Sequence, residues 1–331
     1  MDEGRGTSRV RVPRGMAERA RELAEGGLSP AVPRDAATVI LLRQAPELEA
    51  FLLRRTRVLE FAPGACVFPG GSVDERDADP AIGETAWAGP SPADLGDQLG
   101  IAADRARGLV CAAVRETFEE SGVLLAGSSP TDLVRDGEVL AEDRRRLLDG
   151  SVSLGGLLGR RGLVLRADLL TPWARWITPE VSPRRFDTWF FAAAPPPGQT
   201  AALPPEGRGD RKSPPREARG IRGDGESPPR GVRGDGSPRT GGVPGGVVPP
   251  GGSTESDSGT WLAPAAALEA ARAGQITLLP PTAVTLGELA AHQDVAGVLA
   301  ERRVIRPLLP KVVVEQERAW LALPQAVEYP L

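Results

Sequence analysis

The stretch Arg115-Glu116-Thr117-Phe118-Glu119-Glu120-Ser121-Gly122-Val123 gathers three carboxylates and a guanidinium into one short segment. Wound as a helix at about 100° per residue, Cys111, Val114 and Phe118 fall within an arc of about 60° and form a core-facing stripe. Glu116, Glu119 and Glu120 fall within about 100°, centred nearly opposite. Like charges gathered on one face repel one another unless a cation sits among them. Crowded hard oxygen ligands suit Mg²⁺ or Mn²⁺. On helix patterning alone, the same residues also fit a solvated acidic face with Arg115 as counter-ion. The upstream context separates the two readings.

That context is Phe68-Pro69-Gly70-Gly71. Together with Arg115 to Val123 it resembles the two halves of the Nudix box, G-x5-E-x7-R-E-U-x-E-E-x-G-U, where U is a bulky apolar residue. From Gly71, five residues lead to Asp77, which stands where the box has its first glutamate. The spacer to the arginine is residues 78–114, far longer than the usual seven, and Thr117 replaces a bulky apolar residue. Leu52-Leu53-Arg54-Arg55, followed by Phe61-x-Pro63-Gly64-x-x-Val67-Phe68, looks like the segment that precedes the box in the peroxisomal coenzyme A diphosphatase-like branch and its bacterial relatives. Trp176-Ile177-Thr178-Pro179, the run from Pro183 to Phe191, and Leu278-Leu279-Pro280-Pro281-Thr282 are similar to that branch too. The resemblance covers roughly residues 36–200 and 255–300.

The resemblance implies an α/β (α+β) fold, a mixed-sheet sandwich with helices on both faces, and hydrolysis of a diphosphate linkage in a nucleoside diphosphate derivative. Coenzyme A or acyl-coenzyme A is the preferred substrate; ADP-ribose or a dinucleotide, or a non-catalytic nucleotide sensor, are the alternatives. By the same resemblance Glu116, Glu119 and Glu120 hold Mg²⁺ or Mn²⁺. Arg115 orients a carboxylate, and Glu116 or Glu119 takes part in catalysis. Gly70 and Gly71 bring backbone amides close to a phosphate or a ligand carboxylate. Arg184 and Arg185 are candidates for gripping substrate phosphates, or for a structural ion pair with Asp187. Arg54 and Arg55 carry the same ambiguity. Glu255 is a candidate extra carboxylate.

Elements must position these residues. Thr38–Leu42 and Glu49–Leu53 read as strands flanking a turn at Ala45-Pro46-Glu47, hence a hairpin. Within 61–71 a short strand sits between turns, the second at Gly70-Gly71. Residues 104–121 form a helix that Gly122 stops. Further helix is expected within 130–148, with Arg144, Arg145 and Arg146 on a solvated face. Strands are expected at 171–177 and 186–194, and near Trp261-Leu262. Helices follow at 263–273 and 282–291, then strands at 304–315 and 318–323. Residues 1–30 read as a flexible tail with one short helix within 16–24, and 31–325 as one domain interrupted twice. The first insertion, 78–103, has little regular structure. The second, 204–254, is nearly all Gly, Pro, Arg, Ser and Asp with an imperfect repeat, and lacks the apolar area to order itself.

Composition narrows the classes. With 40 Gly and 33 Pro in 331 residues, much of the chain belongs to loops. A net charge of −4 argues against a general nucleic-acid or anionic-membrane binder; the small-molecule nucleotide partner is what the resemblance implies. Cys66 and Cys111 make neither a metal cage nor an expected disulfide, so a reducing cytoplasm is the simplest home. The only histidine, His292, falls on an expected helix. A Ser-His or Cys-His triad would need a histidine and no other exists, and His292 is read as non-catalytic. Trp173, Trp176 and Trp189 read as core rather than as stacking partners for an adenine.

Overall fold

The computed structural model describes residues 9–12, 14–56, 64–78, 82, 86–135, 140–203, 256–315, 318–324 and 327–331. First come β1 (Arg9–Arg11) and α1 (Arg14–Ala24), then β2 (Arg34–Gln44), β3 (Leu48–Arg55), β4 (Ala65–Val67), β5 (Gly70–Ser72) and a 3-10 turn at Glu75–Ala78. β6 (Trp87–Ala88) and α2 (Pro92–Leu99) lead into α3 (Ala103–Ser121). β7 (Ala126–Gly127), α4 (Ala141–Leu148), α5 (Leu154–Arg161), β8 (Val164–Arg166), β9 (Thr171–Ile177) and β10 (Phe186–Ala193) follow. The last part holds β11 (Ser256–Leu262), α6 (Pro264–Arg272), β12 (Thr277–Leu278), α7 (Pro280–Leu289), α8 (Val295–Ala300), β13 (Pro307–Leu308), β14 (Lys311–Glu315) and β15 (Arg318–Ala322).

The main sheet is mixed, in the order β12-β4-β3-β2-β10-β9-β13. β2 and β10 run parallel at its centre, from Phe186↔Arg34 to Ala193↔Leu41. Both strands read as continuous apolar runs because both faces of the sheet are covered. Val39 and Leu41 of β2, with Trp189 and Phe191 of β10, pack against α2, α3 and α5. Ile40, Leu42, Phe190 and Ala192 point the other way, into a second cluster with α1, α6 and α7.

One irregularity in this sheet matters for the site. β2 pairs with β3 only through Leu42↔Ala50, Arg43↔Glu49 and Gln44↔Leu48. Farther back, β5 takes over that edge through Ala36↔Ser72, Ala37↔Gly71 and Thr38↔Gly70. β3 meanwhile turns away to pair with β4 and β11. The sheet therefore splits beside Thr38, and Gly70-Gly71, expected as a turn, is a strand in that split.

Other expectations also change. The 1–30 tail contains β1, which pairs antiparallel with β15, and α1, whose Ala17 enters the core. The 78–103 insertion contains α2, started by a Ser91–Asp94 capping box, because Leu95 and Leu99 have a core to face. α5, unexpected from sequence, buries Leu154, Leu157 and Leu158. The helix within 130–148 is α4, but only Arg145 and Arg146 are solvated, both paired with Glu142. Arg144 is buried. Residues 57–63, 204–254 and Glu255 lie outside the described residues. Among the described residues no helix is long and apolar enough to cross a membrane.

Candidate active site

α3 carries the three glutamates, and it does not present them to solvent. From Leu109 to Ser121 every residue of the helix is buried, and Glu116, Glu119 and Glu120 are only 5–7% exposed. The stripe of Cys111, Val114 and Phe118 faces the core as its spacing predicts. The acidic face lies under β5 and the Glu75–Ala78 turn instead of under water. Gly122 ends the helix in the left-handed region at φ 75°, its N–H donating to the Phe118 carbonyl.

Arg115 organises this face. Its Nε and Nη2 donate to the two carboxylate oxygens of Asp77 at 2.9 and 2.8 Å. Nη1 donates to Glu116 Oε1 at 2.7 Å and to Glu119 Oε2 at 3.4 Å, and Nη2 also reaches the Ser72 carbonyl at 3.0 Å. Although residues 78–114 intervene in sequence, Asp77 meets the arginine through a bidentate pair. Burial disfavours the guanidinium charge, but Asp77, Glu116 and Glu119 more than offset it and hold the pKa of Arg115 above its usual value.

The two glycines are fixed by space. A Cβ on Gly71 would lie 1.5 Å from Glu116 Oε1, and one on Gly70 would lie 2.5 Å from the Ala37 carbonyl oxygen. No other residue lets β5 pass between β2 and α3. The Gly70 N–H donates to Glu120 Oε2 at 2.9 Å, so the amide expected near a phosphate or a ligand carboxylate serves the carboxylate.

One guanidinium does not balance this cluster. Burial, and then the charge of Glu116, push Glu119 up to about 8 despite Arg115. The same two causes raise Glu120 well above the carboxylate range, against the Gly70 N–H and the charge of Arg55. Among the described residues no three carboxylate, thiol or imidazole groups already stand as a metal cage, because Glu116 and Glu119 close on Arg115. The donor set nonetheless fits a hard divalent cation: all ligands are carboxylate oxygens, buried, and short of positive charge.

A recess opens beside Glu120. It is open to solvent on one side, and its walls include Thr38, Arg55, Phe68, Phe190, Leu279 and Thr282. These come from the split edge of β2, the end of β3, the segment before β5, and the start of α7. Glu120 reaches it from the opposite layer through the gap between β3 and β5. Arg55, left open by sequence, thus stands beside a candidate ligand, and Ser256 at the start of β11 lines the same recess.

Other expected residues lie elsewhere. Arg184 is exposed at the β9–β10 turn. Arg185 spends its donors on backbone, Nε on Thr178 O at 3.0 Å and Nη1 on Ala31 O at 2.8 Å. Neither lines the recess. Asp187 pairs with Arg105 and Arg175 rather than with them. The three tryptophans are buried to 1% exposure or less, so they are core. His292 lies just past α7 rather than on it, paired with Glu301. Cys66 and Cys111 are free and buried.

Arg144 is the residue that sequence reading missed. It donates to the Glu119 carbonyl and to the Ala202 carbonyl, both at 3.0 Å, and so holds the end of α3. Burial pulls its pKa down to about 10. The signal was available: Arg144 follows Leu140 by four residues and precedes Leu147 by three, on one buried stripe.

No family model matches the chain. The acyl-coenzyme A diphosphatase NUDT19 of Gallus gallus is 31% identical over 209 residues, 48% of this chain and 54% of that protein. The acyl-coenzyme A diphosphatase NUDT19 of Xenopus laevis is 28% identical over 178 residues, 44% of this chain and 47% of that protein. The chain thus spans about half the length of these curated relatives. The crystal structure of a NUDIX hydrolase from Alicyclobacillus acidocaldarius superposes with a TM-score of 0.58 at 23% identity, covering 83% of this chain and 98% of that one.

Proposed function

We infer that this chain, which has the Nudix fold and resembles the Nudix hydrolases in sequence, cleaves the diphosphate linkage of coenzyme A or an acyl-coenzyme A with water, using a divalent metal ion. The observation that carries this reading is the reassembly of the interrupted box. Gly70, Gly71, Asp77, Arg115, Glu116, Glu119 and Glu120 come together although 37 residues (78–114) separate its halves.

Glu116, Glu119 and Glu120 would hold Mg²⁺ or Mn²⁺. When bound, such an ion neutralises the diphosphate, polarises the reacting phosphorus and lowers the pKa of water. The chain's own groups do the rest. Arg115, anchored on Asp77, fixes the carboxylates of Glu116 and Glu119. The Gly70 N–H orients Glu120. Arg55 supplies a positive charge at the recess wall, and Phe68, Phe190 and Leu279 keep that wall apolar. Glu116 and Glu119 are the candidates for accepting the proton of the attacking water.

The substrate follows from resemblance to proteins named acyl-coenzyme A diphosphatases. A panel of coenzyme A, acyl-coenzyme A, ADP-ribose and dinucleotides, run with Mg²⁺ or Mn²⁺ and read by mass spectrometry, tests it. The expected products are 3′,5′-ADP and a phosphopantetheine species. Turnover of ADP-ribose or dinucleotides alone would overturn the substrate but keep the reaction. Binding without turnover of any compound would favour a nucleotide sensor.

A further inference from the structure

Away from the carboxylates, the small sheet β1-β15-β14 ends in a strand with an unusual sequence. β14 is Lys311-Val312-Val313-Val314-Glu315. It pairs on one side with β15, through Lys311↔Ala322 to Glu315↔Arg318. Among the described residues its other side is the edge of the sheet. Among the described residues no backbone hydrogen bond outside that ladder reaches Lys311 to Glu315.

The strand alternates. Val312 and Val314 pack against the hydrophobic cluster beneath the sheet. Lys311, Val313 and Glu315 face outward, and Val313 is one of the few large apolar side chains to remain exposed. An exposed edge is a template for another strand, and proteins commonly disarm it with a very short strand, charged side chains, proline or a bulge. β14 has no proline, its ladder with β15 has no register shift, and its two charges are of opposite sign at opposite ends.

We propose that β14 pairs with β14 of a second copy of this chain, antiparallel about a two-fold axis at Val313, to make a symmetric dimer with a continuous six-stranded sheet. The register follows from symmetry. Val313 meets Val313 of the other copy, Val312 meets Val314, and Lys311 meets Glu315. Outward-facing N–H and C=O groups of one strand then meet outward-facing groups of its copy, whichever alternate set points outward. Lys311 and Glu315 stand on one face with Val313 between them, so two cross-strand ion pairs flank an apolar contact. A one-residue slip would set Lys311 against Val314 and lose both pairs. The self-complementarity of the strand is what selects a second copy over an unrelated partner. Five-residue strands bury less area than a standard interface, so the dimer is a weak one that dissociates on dilution.

The test is sedimentation velocity of the full chain from about 1 to 200 µM, a range suited to a weak dimer. Lys311→Glu and Glu315→Lys each place like charges opposite one another in both pairs, and are expected to weaken the dimer by about tenfold or more. The double variant Lys311→Glu/Glu315→Lys restores opposite charges between the copies and dimerises more tightly than either single variant. Both side chains are exposed, and circular dichroism checks that each variant is folded. A monomer at every concentration overturns the proposal. So does a dimer indifferent to the single substitutions, or a double variant that dimerises no more tightly than the single ones.

Discussion

Glu120 accepts the Gly70 N–H at 2.9 Å and lines the recess, yet burial and neighbouring carboxylates disfavour its charge. Those two facts predict opposite effects of Glu120→Gln on rate and on stability. Turnover should fall by about 100-fold or more, because a ligand charge is removed. Without metal, the melting temperature should stay level or rise, since a buried like charge has gone. A near-parental rate would show that the chemistry lies elsewhere. Gly71→Ala is expected to be as damaging, because its methyl group would occupy the space of the Glu116 carboxylate. A steady-state assay of that variant with metal in excess checks it, and more than half of parental activity would contradict the close packing described for β5. At this scale the sequence was informative about which residues gather: the glutamates, Arg115, Asp77 and the two glycines, singled out by type and spacing, come together in the structure. It was silent on burial. A helical wheel has one obvious inside, whereas α3 is also covered on its acidic side, by β5 and the Glu75–Ala78 turn.

Elements hold the site through ion pairs that sequence spacing does not reveal. Asp187 on β10 joins Arg175 on β9 and Arg105 on α3 at 2.6–2.8 Å, tying the helix to the sheet. Burial works against the Asp187 charge, but the hydrogen bonds from both arginines more than offset it and hold the carboxyl below the ordinary range. A depressed carboxylate contributes stability that is complete above its unfolded-state pKa, about 3.9, and is lost as the pH falls through the lower folded value. Thermal melts from neutral pH to about pH 3 should therefore drop more steeply for the parent than for Asp187→Asn, with the difference confined to pH below about 5. Parallel curves would contradict this role. Strands such as β2, β3, β9 and β10 were readable because their apolar runs have strand length and clear bounds. α2 and α5 were not, since short helices rich in Asp, Gly and Pro take their order from the core they cover. Arg144 shows the same limit: three arginines in a row look solvated until α4 docks on the end of α3.

Across the whole molecule, the fold tolerates interruption. The 78–114 spacer splits the box yet leaves Arg115 on Asp77, because α2 and α3 pack together and return the chain to the split in the sheet. Residues 204–254 pose the same question, and their composition gives the expectation. Closing a longer flexible connection costs only about 0.6 kcal/mol per doubling of length. Replacing 206–252 with a short Gly/Ser linker, keeping Glu255, should leave far-UV circular dichroism and the metal-dependent rate largely unchanged. A folded deletion that loses most of its activity would give the segment a role in catalysis. The central claim, that the buried carboxylates of α3 serve a divalent ion in diphosphate hydrolysis, is tested most directly by one titration. The initial rate of coenzyme A hydrolysis is followed against free Mg²⁺ or Mn²⁺, beginning in excess chelator. The account predicts no turnover with chelator, a saturable rise with metal, and a much weaker response in Glu120→Gln. Full turnover in excess chelator would contradict it.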